Sequence, residues 1–399
     1  MSLLAGIRVL DLSLQLPGPF CTLMMADHGA DVIKVDEPEP RMRNPFAAMD
    51  APGLSPSDRY LNRGKRSLTL NLKTDEGKEI FRILGEKADV VVEGFRPGVT
   101  ERLGVDYGTL SARNPRLVYC SISGYGQTGP MRNVAGHDIN YISYAGILGL
   151  SGRAGEAPAI PPVQIGDLFG GAMMALSGIL MALVSRHSTG KGRWVDVSMT
   201  DGSIAMLAFH AVAGLAGAPN PERGNMILTG MFPCYGTYRC ADGRYMSLGS
   251  LEAWFWKGLV SALGRDDLAD LQYATGDEGT RVKGELATIF AAKTRKEWER
   301  FFAEADVCFS PVLDLDEALS HPNAAARAMV VAVDSPLGGT DRQPGRPLKF
   351  SEPDGGWTAR ESPRRAPVLG EHDEEILKGI GYTRERIADL RRKGVIRRT

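Results

Sequence analysis

Short apolar runs alternate with helical patterns through the first 125 residues of this 399-residue chain. The runs "IRVLDLS", "ADVIKVDEP", "SLTLNLK", "DVVVEGF" and "RLVYCSISGYG" predict buried strands. Between two of them, Thr74 is the predicted N-cap of the helix "DEGKEIFRILGEKA". Because parallel strands need a long crossover between them, strands that alternate with helices predict an α/β fold with a parallel sheet.

The glycines in this part of the chain do not have the spacing of a dinucleotide-binding loop. The loop after the first predicted strand is "SLQLPGPF", which lacks the GxGxxG pattern. The glycines of "GILGLSG" follow no clear strand, so they are weak evidence for a phosphate-binding loop. The sequence therefore predicts a Rossmann-like topology without the dinucleotide fingerprint.

The sequence pattern changes near residue 225. "GMFPCYGTYRCADGRYMSLGS" is typical of antiparallel strands joined by an "ADG" turn, and helical patterns follow it. We predict a large Rossmann-like domain over residues 1–200, a linker over 201–224 and a small α+β domain over 225–318. Within residues 319–399, the stretch 319–366 is rich in Pro, Gly and charge, which predicts a linker or a long excursion, and two helical segments follow it.

Composition argues against several classes of protein. The net charge of −1 gives no overall attraction for nucleic acid or an anionic membrane. The longest uncharged apolar run, Leu168 to Val184, is short for a membrane span and predicts a buried helix. Arg8 and Asp11 interrupt the N-terminal apolar stretch, which does not resemble a signal peptide. The five scattered cysteines are typical of free thiols, so we expect a cytoplasmic protein.

Two segments contain residues suited to acid–base chemistry. His137 and Asp138 stand side by side in "AGHDINYISYAG", in a predicted loop after a strand, where parallel sheets bind ligands. His137 could transfer protons, or it could be a hydrogen-bonded packing residue. Asp167, in "VQIGDLFGGAMM", directly precedes the apolar helix. It could cap that helix, or it could act as a base or nucleophile on a substrate that the neighbouring glycines admit.

Other charged residues have two interpretations as well. Glu252, in "SLGSLEAWFW", is an acid in an aromatic setting, or an ordinary glutamate at a helix start. Several basic residues belong to solvated faces or could hold phosphates. These basic residues are Arg41, Arg43, Arg63, Lys65, Arg66, Arg96 and Arg102.

Motifs along nearly the whole chain resemble, in order, the class III CoA-transferase superfamily of the CaiB/BaiF type. The motifs are "LAGIRVLDLS", "GADVIKVDEP", "LNRGKRSLTLNLK", "EGFRPGVTERLG", "SGYGQTGP", "AGHDINYIS", "VDVSMTDG" and "LGEHDEEIL". Within the superfamily, "GHDINY", Asp167 and "LGSLE" are similar to the α-methylacyl-CoA racemase branch. The resemblance implies an acyl-CoA substrate and no metal or organic cofactor. It also implies ring-shaped chains in an interlocked homodimer, with the C-terminal segment returning to the large domain.

The resemblance further implies roles for four residues. His137 and Asp167 match the two opposing bases of the racemases, which exchange the proton on carbon α of the thioester. Glu252 matches the acid that pairs with the histidine, from the small domain or from the partner chain. Asp138 matches the residue whose backbone N–H meets the thioester oxygen. A base on each face and a donor to the enolate oxygen are what inversion at carbon α requires.

Two departures from the family pattern and two alternative functions accompany this interpretation. Glu37 stands where the family usually has a basic residue that contacts a CoA phosphate, and Trp254 stands in an altered "LEAWF". The phosphates are therefore expected to be held by other basic residues, namely Arg41, Arg63, Lys65, Arg66 and Arg96. In the first alternative, Asp167 carries CoA as an aspartyl thioester in a CoA-transferase. In the second, the protein only binds acyl-CoA.

Overall fold

The computed structural model describes residues 2–39, 54–351, 355 and 363–398. The chain forms two compact units, and most contacts between Cα atoms lie within one unit or the other. Unit 1 comprises Met1–Ala145, Pro162–Leu207 and Pro322–Thr399, and unit 2 comprises Gly146–Pro161 and Ala208–His321. Unit 2 thus takes in a segment from the predicted range 1–200, and residues 201–224 are divided between the two units.

Unit 1 is built on a six-stranded parallel sheet with the strand order β3-β2-β1-β4-β5-β6. The strands are β1 Arg8–Asp11, β2 Asp31–Asp36, β3 Arg66–Thr69, β4 Val90–Glu93, β5 Val118–Ser123 and β6 Trp194–Ser198. Each face of the sheet is covered by its own hydrophobic cluster. Neighbouring residues of a strand point to opposite faces, so Leu10 of β1 belongs to one cluster and Val9 to the other. This order is that of doubly wound Rossmann-type sheets, and the predicted α/β class is confirmed.

Helices contribute apolar residues to both hydrophobic clusters of unit 1, alongside the residues of the strands. The α-helices of unit 1 are α1 Pro17–Asp27, α2 Pro56–Leu61, α3 Asp75–Glu86, α4 Val99–Leu103, α5 Tyr107–Arg113, α6 Asp138–Tyr144, α8 Met174–Thr189, α9 Met199–Met206, α15 Pro322–Ala326, α16 Asp373–Gly379 and α17 Arg384–Arg392. Thr74 caps α3, as predicted, since its side chain accepts the backbone N–H of Gly77. A capped start and an apolar face directed at the sheet explain why this segment is helical.

A π-helix, Gly166–Met173, runs directly into α8. The combined helix is long and apolar enough to cross a membrane by length and composition alone. However, Ala175 and Ile179 of α8 are fully buried in a cluster with residues of the sheet. Burial against a sheet explains the apolar composition of this face, but 39% of the helix's most apolar window is buried, so the predicted buried helix is found only in part.

Residues 319–366 contain regular structure where a linker was predicted. Besides α15, this range forms an antiparallel hairpin of β10 Val330–Asp334 and β11 Thr340–Pro344. Gly338 and Gly339 lie between these strands with φ of 93° and 72°, a conformation that favours glycine. Two of the glycines in this range therefore belong to a hairpin turn, and residues 330–344 are a hairpin where a linker or long excursion was predicted.

The C-terminal segment is attached to the edge strand β3. Asp373 accepts hydrogen bonds from the backbone N–H and the hydroxyl of Thr69, at 2.7 and 2.6 Å. Nδ1 of His372 accepts the backbone N–H of Ser67 at 3.1 Å. These contacts join α16 to the parallel sheet within unit 1.

Unit 2 contains the antiparallel strands that the "ADG" pattern predicted. These are β7 Tyr235–Arg239 and β8 Tyr245–Gly249, and a third strand that was not predicted, β9 Phe309–Pro311, pairs with β8. Its α-helices are α7 Ile147–Leu150, α10 Ala208–Leu215, α11 Ala253–Ala262, α12 Gly276–Phe290, α13 Arg295–Phe301 and α14 Leu315–Ser320, with a 3₁₀ turn at Asp266–Leu271. Trp256 and Trp298 fill its core, and each indole N–H donates to a backbone carbonyl.

Candidate active site

A cavity of about 210 Å³ lies in unit 1 at the carboxyl ends of β1, β4 and β5. Its lining comes from the segments that follow these strands, together with residues near the two predicted bases. These residues include Leu14, Gln15, Gly94, Phe95, Arg96, Ser123, Tyr125, Arg132, Gly136, His137, Tyr141, Asp167 and Met199. The chain order of the sheet reverses between β1 and β4, and ligands of doubly wound sheets bind at such a switch point.

A buried network of charged side chains holds the loop after β1 in place. Nζ of Lys65 donates to Oδ2 of Asp11 at 3.1 Å, and both side chains are fully buried. Burial alone would raise the pKa of Asp11, but the charges of Lys65 and Lys34, together with hydrogen bonds from Ser13 and Thr22, lower the pKa to about 2. In the same loop Gln15 has a φ of 64°, which is strained for a residue other than glycine. Strain of this kind often accompanies a functional loop.

His137 is the N-cap residue of α6 and faces the cavity. Its backbone is extended, with φ of −128° and ψ of 176°. Its N–H donates to Oδ1 of Asn140 at 3.0 Å, and its carbonyl accepts the N–H of Asn140 at 2.8 Å. These bonds use only the main chain of His137, and the residue is exposed. The exposed position leaves the imidazole accessible, and both roles considered for His137, proton transfer and hydrogen-bonded packing, stay predictions.

Asp167 lies inside the π-helix, where it is the second residue. The N-cap is Ile165, so the interpretation of Asp167 as a helix cap is wrong. Burial, with a smaller contribution from the negative charge of Asp138, raises the pKa of Asp167 to about 7. A carboxyl group with a pKa near neutrality can both accept and donate a proton at physiological pH. π-Helical turns are themselves frequent at functional sites.

Asp138 connects the two predicted bases through its side chain. Its Oδ1 accepts the backbone N–H of Asp167 at 3.0 Å. As the first residue of α6, Asp138 also has a backbone N–H without an acceptor inside the helix. The structure thus brings His137, Asp138 and Asp167 together in unit 1. In the described part of the chain, no three His, Cys, Asp or Glu side chains form a group that could hold a metal ion.

Glu252 belongs to unit 2. It is the exposed N-cap residue of α11, and its side chain makes no capping hydrogen bond. Its charge contributes, after burial, to a raised pKa of the nearby Cys308. Trp254, two residues later, is 66% exposed. The pairing of Glu252 with the histidine stays a prediction.

Two of the basic residues predicted to hold CoA phosphates are buried inside unit 1. Arg63 is 1% exposed and donates to both carboxylate oxygens of Asp27, at 3.1 and 2.6 Å. Lys65 is 4% exposed and is paired with Asp11. A phosphate would have to displace a buried carboxylate to reach either cation, which would leave a buried charge unpaired. We therefore withdraw Arg63 and Lys65 as expected phosphate contacts.

The other predicted phosphate contacts differ in their surroundings. Arg66 donates to both carboxylate oxygens of Asp31, at 2.9 and 2.7 Å, and to Glu375 at 2.9 Å. Arg96 is exposed and lines the cavity, so it is placed to meet a ligand there. Arg41 lies outside the described residues.

Glu93 is a titratable residue beside the cavity that the sequence analysis did not consider. It ends β4, is 3% exposed and accepts the backbone N–H of Phe95 at 2.7 Å. Burial raises the pKa of Glu93 to about 7. The available signal was an acid at the end of the otherwise apolar strand "VVVE", at the edge of the sheet where ligands bind.

Comparison with known proteins assigns this arrangement to a family. Residues 4–373 match the family described as CoA-transferase family III. The chain belongs to CoA-transferase family III. The superfamily resemblance that the motifs indicated is therefore confirmed.

Relatives of this family III chain have two kinds of activity in their names. Alpha-methylacyl-CoA racemase of Homo sapiens is 37% identical over 396 residues, covering 98% of this chain and 97% of the human protein. Succinyl-CoA:mesaconate CoA-transferase of Haloarcula marismortui is 34% identical over 397 residues, covering 96% and 97% of the two chains. A CaiB/BaiF family protein from Brucella suis has a crystal structure that matches with a TM-score of 0.80 and 30% identity, covering 95% of this chain and 99% of that one. Overall similarity therefore does not separate a racemase from a transferase.

Proposed function

We propose that this protein is a 2-methylacyl-CoA racemase, which inverts the carbon α to the thioester by proton transfer between His137 and Asp167. The observation that supports this most is that the two side chains line one cavity, and that burial raises the pKa of Asp167 to about 7. Inversion needs one group that removes the proton and another that returns a proton to the opposite face. An imidazole and a carboxyl group that titrates near neutrality can exchange these roles.

The proton on carbon α of a thioester is weakly acidic, so the enolate oxygen needs stabilisation as it forms. In our proposal the backbone N–H of Asp138 donates to that oxygen. As the first residue of α6 it has no acceptor within the helix. One donor of this kind is typically worth about 3 kcal/mol of the activation barrier. The carboxylate of Asp138 meanwhile stays bonded to the backbone of Asp167.

In this proposal Glu252 completes the site by pairing with the imidazole of His137, from the small domain of either chain of a homodimer. α8 supports a homodimer because it is apolar on its outer face as well. Leu180, Met181 and Val184 on this face are 37%, 67% and 74% exposed. A helix that is apolar on two faces is stabilised when a partner covers the exposed one. We propose that this partner is a second copy, in the interlocked arrangement expected from the resemblance.

The substrate is held, in the same proposal, by its CoA portion. Arg96 binds a CoA phosphate, since its exposed side chain lines the cavity. Arg41 remains a candidate for a second contact. The reaction uses acid–base groups alone, so no metal or organic cofactor is proposed. The five cysteines are free thiols, which supports a location in a reducing cytoplasm.

A second candidate is a CoA-transferase, supported by the position of the Asp167 carboxylate in the cavity and by the transferase names among the relatives. Asp167 would attack the acyl thioester and release CoA as a thiolate. The thiolate would then attack the resulting mixed anhydride at the aspartyl carbonyl and free the carboxylic acid. The carboxylate of an acceptor acid would then attack the aspartyl thioester and release CoA as a thiolate. The thiolate would attack the new mixed anhydride at the acceptor's acyl carbon, which forms the new acyl-CoA and frees Asp167. His137 has no role in this sequence, so we prefer the racemase.

Hydrogen exchange in deuterated water distinguishes the two candidates. The protein is incubated with one enantiomer of a 2-methylacyl-CoA without a second carboxylic acid. A racemase exchanges the α-hydrogen for deuterium and the sample loses its optical purity. A transferase needs an acceptor acid, and hydroxylamine or borohydride traps its Asp167 thioester. Retention of the α-hydrogen together with acceptor-dependent CoA transfer would replace our proposal with the second candidate.

A further inference from the structure

We propose that Tyr141 is a positioning residue that holds the segments bearing His137 and Asp167 at a fixed separation. This inference rests on the proposed function of that pair. Tyr141 lies on α6 and is 7% exposed. Its hydroxyl donates a hydrogen bond to the carbonyl oxygen of Gly136, 2.5 Å away. Because Gly136 directly precedes His137, this bond fixes the peptide that carries the imidazole.

Tyr141 also packs against the segment that bears Asp167. A Cβ atom added at Gly166 would lie 3.3 Å from Cβ of Tyr141 and 3.1 Å from Oδ1 of Asp138. Both distances are shorter than most contacts that Cβ atoms make in proteins, so the backbone before Asp167 lies close against α6. Only a residue without Cβ permits this approach without displacement. Tyr141 therefore bonds to the residue before His137 and lies beside the residue before Asp167.

The ring of Tyr141 is anchored to the end of the parallel sheet. A Cβ atom at Gly124, just after β5, would lie 2.4 Å from Cε1 of Tyr141, and one at Gly136 would lie 2.7 Å from the same atom. The ring of Tyr125 meets it edge to face, with the ring centroids 5.4 Å apart. The Tyr141 ring thus fills the space between the sheet and the peptide before His137, and it has little room to shift.

The hydroxyl of Tyr141 remains a donor under the conditions of the reaction. Burial raises the pKa of Tyr141 to about 12, and the charge of Asp167 raises it too. The protonated hydroxyl can therefore hold the carbonyl of Gly136 throughout the neutral range. A displacement of about 1 Å of a catalytic group can lower a rate about 100-fold, so loss of this bond should slow the reaction.

The test compares Tyr141→Phe with a matched control. Tyr119→Phe removes the same kind of buried bond elsewhere in unit 1, since the Tyr119 hydroxyl donates to the carbonyl of Val105 at 3.1 Å. We expect similar losses of thermal stability in both variants. Only Tyr141→Phe should lower kcat for α-hydrogen exchange, about tenfold or more, with KM for the acyl-CoA unchanged. Equal kcat in wild type and Tyr141→Phe, or an equal loss in both variants, would overturn the inference.

A second measurement needs no turnover and so separates this inference from the proposed function. Hydrogen–deuterium exchange of the backbone, read by mass spectrometry on the full chain, reports residues 134–138 and 164–169. We expect faster uptake over residues 134–138 of Tyr141→Phe, because the hydroxyl bond to Gly136 is lost. Uptake over residues 164–169 should stay as in wild type, because phenylalanine keeps the Cβ atom beside Gly166, and Tyr119→Phe should match wild type in both segments. Unchanged uptake over residues 134–138 of Tyr141→Phe would overturn the positioning role. If the wild type transfers CoA without α-hydrogen exchange, the proposed function fails, but the uptake result still stands.

Discussion

The backbone N–H of Asp167 donates a hydrogen bond to Oδ1 of Asp138, and the two atoms are 3.0 Å apart. This bond joins the π-helix to the start of α6, where His137 is the N-cap. The same carboxylate lies close enough to Asp167 to raise its pKa, in addition to the larger effect of burial. One side chain thus fixes the position of a proposed base and adjusts its proton affinity.

The first prediction separates these two effects with Asp138→Asn. The amide oxygen of asparagine can still accept the N–H of Asp167, whereas the negative charge is gone. The pKa of Asp167 should then fall below its value of about 7. Exchange that uses Asp167 as the base requires its ionised form, so that rate should reach its plateau at a lower pH in the variant.

The measurement is the rate of α-hydrogen exchange against pH for the enantiomer that is deprotonated by Asp167. Asp75→Asn is the control, because Asp75 is a fully exposed residue at the start of α3. It removes the same charge without touching the site. An unchanged pH profile in Asp138→Asn would show that the charge of Asp138 does not act on Asp167.

The second prediction concerns the two proposed bases separately. Asp167→Asn keeps the size of the side chain but cannot take up a proton, and His137→Gln does the same on the other side. Each variant should lose racemisation by about 100-fold or more. Each variant should still exchange the α-hydrogen of the enantiomer that its remaining base deprotonates. The enantiomer that exchanges should therefore be the opposite one in the two variants. Loss of exchange with both enantiomers in both variants would contradict a mechanism with one base on each face.

Much of unit 1 could be predicted because its signals are local. Strands such as "VVVE" are buried on both faces and are apolar throughout, and Thr74 caps α3 with its own side chain. The hairpin β10–β11 was missed because its turn glycines resemble those of a linker. The partners of Arg63 and Lys65 could not be predicted from local pattern. Asp27 and Asp11 lie 36 and 54 residues away in the chain, and only the folded structure brings them together.

The third prediction compares a buried cation, Lys65, with an exposed one, Arg96. Lys65→Met leaves the buried carboxylate of Asp11 without its partner, so the free energy of unfolding should fall by about 3 kcal/mol or more. Arg96→Met changes an exposed side chain in the cavity, so it should leave stability unchanged and raise KM for acyl-CoA about tenfold. Thermal unfolding and steady-state kinetics measure the two quantities. A stable Lys65→Met variant with a raised KM would restore Lys65 as a phosphate contact.

The fourth prediction uses the buried carboxyl group of Glu93. Burial raises its pKa from 4.5 to about 7 in the folded protein, a shift that corresponds to about 3 kcal/mol. An unfolded chain releases this proton near the ordinary pKa, whereas the folded chain keeps it until about pH 7. Between these pH values the folded state binds more protons, so the free energy of unfolding falls as the pH rises. The loss is complete above the folded pKa.

Glu93→Gln should remove this dependence, because glutamine is neutral at every pH and its amide oxygen can still accept the N–H of Phe95. We expect the variant to be more stable than wild type at about pH 8 and to lose less stability between about pH 5 and pH 8. Thermal unfolding at both pH values measures the effect. Glu304→Gln is the control, since Glu304 is exposed and should leave the slope unchanged. Equal slopes for wild type and Glu93→Gln would mean that Glu93 is ionised in the folded protein at neutral pH.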